Sequence, residues 1–140
     1  MPADEHQNKA LVLRFYEELW NAWRLETVDE ILSPGISFRG SLGNVVHGRN
    51  EFTAYAERVQ LAFPDWHNQV DELLAVGDRV VARLTWTGTH AGPLGDIAPT
   101  GRRVSYVGAA FFRIADAKIE EAWIVGDTQE LWRTLGRLAN

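Results

Sequence analysis

The sequence predicts an α+β fold in which helices come first and a meandering antiparallel sheet follows. Apolar residues recur at helical spacing through Leu11, Phe15 and Leu19, and again through Phe52, Tyr55, Ala56, Val59 and Phe63. From His67 onward they alternate with polar residues in runs separated by short turn-forming segments, the pattern of strands joined by hairpins. A length of 140 residues fits one domain spanning residues 1–140.

Asp4, with Gln7 three positions on, marks a helix start, and Val12, Tyr16, Trp20 and Trp23 widen the apolar face of the long helix that follows. Lys9, Arg14, Glu17 and Glu18 mark the opposite side as solvated, so this helix is expected to lie across a sheet. A short helix fits Thr27–Leu32, capped by Thr27 and stopped by Pro34-Gly35, and Ile36–Arg39 reads as a short strand. After a glycine-containing turn over Gly40–Asn44, Val45–His47 is extended and Arg49–Phe63 is helical, ending at Pro64-Asp65. Strands are expected over His67–Val76, Arg79–Thr89, Arg103–Ile114 and Lys118–Val125, with turns at Gly77-Asp78 and Ala115-Asp116-Ala117. Asp127 or Thr128 caps a last helix, Gln129–Leu135, closed by Gly136. In the 103–114 strand, Tyr106, Phe112 and Ile114 in one phase and Val107 and Phe111 in the other predict cover on both faces.

Composition excludes several classes of function. A net charge of −5 with scattered arginines argues against a nucleic-acid partner. The absence of cysteine removes disulfides, thiolate catalysis and cysteine-ligated metals. The first residues lack a basic stretch followed by an apolar run, and no apolar run approaches the roughly 20 residues that span a bilayer. A cytoplasmic protein with no membrane partner is therefore expected. Six tryptophans are a generous supply of broad aromatic surface for lining a pocket or filling a core.

Gly88-Thr89-His90-Ala91-Gly92, followed by Pro99-Thr100-Gly101-Arg102-Arg103, interrupts two strand-like runs with residues of special backbone geometry. The phase that places Val80, Ala82, Leu84 and Trp86 on one face continues to His90. That histidine is either an acid-base group at a cavity mouth or a hydrogen-bonded loop residue. Asp127, at the junction of the last strand and last helix, is either a base facing the cavity or a helix cap. Trp20, Phe38, Tyr55, Phe63, Trp86, Tyr106 and Trp123 are the aromatic residues expected nearest a pocket, with His47 entering it from the start of the third helix. Tyr16 and Tyr106 could supply hydroxyl donors. His47, His67 and His90 lack metal-ligand spacing, so no metal is expected. Arg102 and Arg103 fit either an anion clamp or surface ion pairs, and at least one of Glu120 and Glu121 must point to solvent.

A family likeness rests on Asn8–Val12 with Phe15–Asn21, Phe63-Pro64-Asp65, Gly77–Val80, Gly88–Gly92, Pro99–Arg103, Phe112-Arg113, Lys118–Trp123, Asp127 and Leu135-Gly136. In these pieces the chain resembles the SnoaL-like polyketide cyclases, or ester cyclases, of the nuclear-transport-factor-like superfamily. The resemblance implies a cone-shaped curved sheet wrapped around N-terminal helices, a homodimer, and a pocket for a small hydrophobic or aromatic molecule. It implies cofactor-free acid-base chemistry on a small, largely apolar carbonyl compound, as in intramolecular aldol ring closure. The cyclases take their base from an aspartate three positions before the one matched by Asp127, and here that position is Ile124. Asp127 and His90 are then the remaining catalytic candidates, with Ile124 on the pocket wall. The alternatives are a non-catalytic binding or dimerisation module, a hydroxylase-like relative, and an epoxide-hydrolase-like relative, for which Arg83 and Asp127 would have to meet inside the cone.

Overall fold

The computed structural model describes residues 4–137. Its elements run α1 (Glu5–Arg14), a π-helical continuation (Phe15–Asn21), α2 (Thr27–Ile31), β1 (Leu32–Arg39), β2 (Val45–His47), α3 (Gly48–Ala62), β3 (His67–Val76), β4 (Arg79–Thr89), β5 (Arg103–Ala115), β6 (Lys118–Gly126) and α4 (Thr128–Thr134). One six-stranded sheet has the order β2-β1-β6-β5-β4-β3. Its register is long and regular in the middle, where β4 and β5 pair from Arg79↔Arg113 to Thr89↔Arg103.

The first helix begins as its cap predicts, with the Gln7 N–H donating to Asp4 at 3.0 Å. It does not stay α-helical. From Phe15 the turns widen, and the Ala22 N–H reaches back five residues to the Glu17 carbonyl at 3.0 Å. The wider turn sets Phe15, Tyr16, Leu19 and Trp20 toward the sheet together, all of them buried. Trp23 closes the segment in the left-handed backbone region, at φ 54°.

Two hairpins close as the turn residues dictate. Gly77, at φ 59°, joins β3 to β4, and Asp116 and Ala117, both at positive φ, join β5 to β6. The first strand departs from the expected antiparallel sheet, because β1 begins at Leu32 and pairs with β6 in parallel. Pro34-Gly35 does not merely stop a helix. It sits where the β1–β6 register shifts, between Leu32 and Ser37, a place where a residue without an N–H is tolerated. The side chain of Arg49 on α3 donates to the Leu32 carbonyl at 2.9 and 2.7 Å and fastens that helix to the irregular strand.

Strand alternation sorts side chains between two faces. Val80, Ala82, Leu84 and Trp86 on β4, with Tyr106, Ala110 and Phe112 on β5, face the helices and are buried. The opposite face is not covered by the described residues, contrary to the expectation for β5: Val107 and Phe111 are 54% and 45% exposed. No helix among the described residues is long and apolar enough to cross a membrane.

Candidate functional site

The concave face of the sheet, the π-helical segment and α3 enclose a small chamber of about 50 Å³. Trp20, Phe38, Tyr55, Phe63, Trp86, Tyr106 and Ile124 all stand on its wall. An open cleft of about 760 Å³ lies outside it, between α3, the tip of the β4–β5 loop and Trp132 of α4. Leu42, Tyr55, Val59 and Leu94 border both spaces, so together they form a funnel from solvent to the interior.

Glycines make the room. A Cβ on Gly108 would stand 2.5 Å from the Trp86 ring, and one on Gly126 would stand 3.0 Å from the same ring and 3.1 Å from Tyr106. These two residues face each other across β5 and β6, and their missing side chains seat the Trp86 indole at the chamber floor. Gly40 does the same for Tyr55, whose hydroxyl lies 2.3 Å from where a Cβ would be.

The polar groups of the chamber are uncharged. The Tyr106 and Ser41 hydroxyls are hydrogen-bonded at 2.9 Å. Asn68, inward on β3, is held by Asn21, whose side-chain oxygen accepts from the Asn68 backbone N–H at 2.8 Å and from its amide group at 3.1 Å. Burial raises the Tyr16 and Tyr106 hydroxyls far above the usual phenol range, the hydrogen bond shared with Ser41 opposing it at Tyr106, and pushes Tyr55 up to about 12 against the pull of Arg58. All three are protonated donors at neutral pH. No Asp, Glu, His, Lys or Arg among the described residues lines the chamber.

Four candidates lie elsewhere. Asp127 is exposed and turns back onto α4, accepting from the Glu130 N–H at 3.4 Å, so it caps a helix rather than entering the chamber. His90 is fully buried, in keeping with its phase, but in the β4–β5 loop: its Nδ1 accepts from the Thr100 N–H at 3.2 Å and lies 3.0 Å from the Thr100 hydroxyl. Its ring packs on Phe63 at 5.5 Å, and burial lowers its pKa while the Gly92 carbonyl opposes the shift. A neutral imidazole that pins a loop is the result. Trp123 follows the opposite phase from Ile124 and stands on the outer face, 43% exposed, with Phe111 at 5.9 Å and the Arg39 guanidinium 4.8 Å over its ring. His47 is exposed at the start of α3, its backbone N–H held by Glu51 at 3.0 Å.

The arginines also serve structure. Arg102 donates to the Thr134 carbonyl at 2.8 Å, and Arg103 lies 3.5 Å from Asp65, a carboxylate that also receives the Thr89 N–H and hydroxyl. Arg83 faces outward to Asp71 and does not meet Asp127 inside the cone. Glu120 and Glu121 both reach Arg113, at 3.5 and 3.8 Å. Among the described residues no three His, Asp or Glu side chains are grouped as metal ligands.

Sequence reasoning missed Ser41, Trp66, Asn68, Leu94 and Leu131 on the chamber wall. Only Asn68 carried a signal, as a polar residue in the inward phase of a strand. Leu94 and Ser41 arrive from loops, which periodicity does not reach.

A curved sheet closed by a wide-turned helix around a chamber lined by apolar and uncharged side chains defines a cone-shaped α+β fold. The family model for SnoaL-like polyketide cyclases matches residues 10–135, and the chain belongs to that family. Among solved structures it is similar to AclR, a candidate hydroxylase from Streptomyces galilaeus, with 33% identity over 98% of this chain and 89% of that one and a TM-score of 0.84. A candidate SnoaL-like polyketide cyclase from Jannaschia sp. CCS1 is 25% identical over 96% and 95% of the two chains, with a TM-score of 0.87. IdmH, a candidate polyketide cyclase from Streptomyces antibioticus, is 26% identical over 94% and 99%, with a TM-score of 0.80. No curated protein is significantly similar to the chain.

Proposed function

We propose that this family member binds a flat, largely apolar carbonyl compound in the funnel and holds its oxygen with uncharged hydroxyls, in a chamber that offers no base for aldol ring closure. The observation that carries this reading is the chamber wall itself: no ionised group among the described residues lines it, and Ile124, which the resemblance matches to the cyclase aspartate, stands on it. Removing a proton alpha to a carbonyl needs a base within hydrogen-bond reach. Buried tyrosines kept protonated can donate to a bound carbonyl and polarise it, but they do not take up the proton alpha to it. Leu42, Tyr55, Val59 and Leu94 at the junction, with Trp132 in the outer cleft, supply apolar burial for the ring system.

The test pairs binding with turnover. Titration with a bicyclic aromatic ketone should saturate the protein, while an aromatic poly-β-keto ester should close its ring no faster than in buffer. Ring closure well above the buffer rate would overturn the reading. A hydroxylase-like role is the second reading, favoured by the 33% identity to AclR over nearly the whole chain. Ligand-dependent oxygen uptake in the presence of a reduced flavin would select it.

We also propose a homodimer built on the outer face of the sheet. Leu74, Val81, Phe111 and Trp123 lie side by side across β3, β4, β5 and β6. Three of them are large exposed hydrophobics, a contiguous patch of the kind that marks a protein contact. A second copy offers the same surface, which suits a two-fold interface.

A further inference from the structure

The hydroxyl of Tyr16 has no hydrogen-bond partner among the described residues, although the residue is 1% exposed. A phenylalanine would fill the same space without burying an unpaired donor, so the oxygen is retained at an energetic disadvantage. Tyr16 lies on the chamber wall, and the other polar side chains described there are engaged differently. Tyr106 and Ser41 satisfy one another, Asn68 is tied to Asn21, and Tyr55 stands at the junction with the outer cleft. Tyr16 is therefore the residue on the chamber wall whose hydroxyl is both enclosed and unpartnered among the described residues.

Its placement is a second, independent sign. Tyr16 sits in the π-helical segment, and widened turns of this kind are frequent where a helix serves a site. Edge-on contacts with Phe15 at 5.0 Å and Phe112 at 6.0 Å fix the direction of its ring. The chamber, at about 50 Å³, has room for a carbonyl group rather than a fused ring system, whereas the outer cleft of about 760 Å³ accepts rings.

We propose that the Tyr16 hydroxyl donates a hydrogen bond to a ketone oxygen pushed into the chamber while the ring system remains in the outer cleft, so that Tyr16 selects a ketone over the matching hydrocarbon. This rests on the funnel being the ligand site. Burial holds the phenol protonated, so the donor is present at any pH at which the protein is folded and near neutral.

The test uses 1-tetralone and tetralin, bicyclic compounds of nearly the same shape that differ in the carbonyl. Binding is followed by quenching of the tryptophans, of which Trp20, Trp66 and Trp86 line the chamber. Wild type should prefer 1-tetralone. Tyr16→Phe should weaken 1-tetralone binding roughly 3- to 10-fold, leave tetralin binding unchanged, and melt no lower than wild type. A preference for 1-tetralone that is equal in both proteins overturns the role of Tyr16 and leaves the funnel reading standing. Failure of both compounds to bind wild type removes the funnel reading and this inference with it.

Discussion

Replacing His90 with alanine separates a loop pin from an acid-base catalyst. The imidazole is 0% exposed, packs on Phe63 at 5.5 Å, and accepts the Thr100 N–H. Alanine would empty that volume, at a cost of roughly 2 kcal/mol or more. It would also leave the Thr100 donor unpaired, worth roughly 1 kcal/mol. A loss of about 3 kcal/mol is expected, or about 10 °C in Tm for a domain of this size. The pH dependence follows from the direction of the His90 shift. Burial lowers its pKa in the folded state, so between the unfolded value near 6.5 and the lower folded value the unfolded chain binds more protons. Wild-type stability should therefore fall as pH drops below about 6.5, with a contribution from His90 of at most about 1.4 kcal/mol per pH unit, and this group should contribute no slope above that pH. The alanine variant should lack this component. Urea melts of both proteins across about pH 5 to 8 measure both effects. A variant as stable as wild type that has lost ligand binding would refute the reasoning and return the imidazole to the site.

Asp127→Ala should lose the α4 cap, reducing stability by about 0.5 kcal/mol because the bond is long, and calorimetric titration of 1-tetralone should show an unchanged affinity. Gly126→Ala puts a methyl group 3.0 Å from Trp86 and 3.1 Å from Tyr106. It should destabilise the fold by about 1–3 kcal/mol and weaken 1-tetralone binding, as read by thermal melts and fluorescence titration. Trp123→Asp, on the outer face, should convert a dimer to a monomer in sedimentation velocity while leaving ligand affinity intact.

Much of the site was legible wherever a regular element carried it. Trp86, Tyr106 and Ile124 reach the chamber because each follows the inward phase of its strand, and the same rule applied to Trp123 places it outside. His90 also followed its phase into the interior, yet the loop carries its ring to Thr100 and Phe63 instead of the funnel. For Asp127 the sequence posed two roles, and the Glu130 N–H it meets makes it a cap. Neither the widening of the first helix nor the parallel β1–β6 pairing has a local signal. Both arise from packing between segments far apart in the chain.

The sequence by itself determined the order of helices and strands, the hairpin positions and the face each strand residue takes, since periodicity and turn chemistry act between neighbours. Only the tertiary structure decided that Ser41, Leu94 and Tyr16 converge on one chamber that no Asp or Glu among the described residues lines. That convergence depends on the curvature of the sheet and the path of its loops, which are set by contacts between residues remote in sequence.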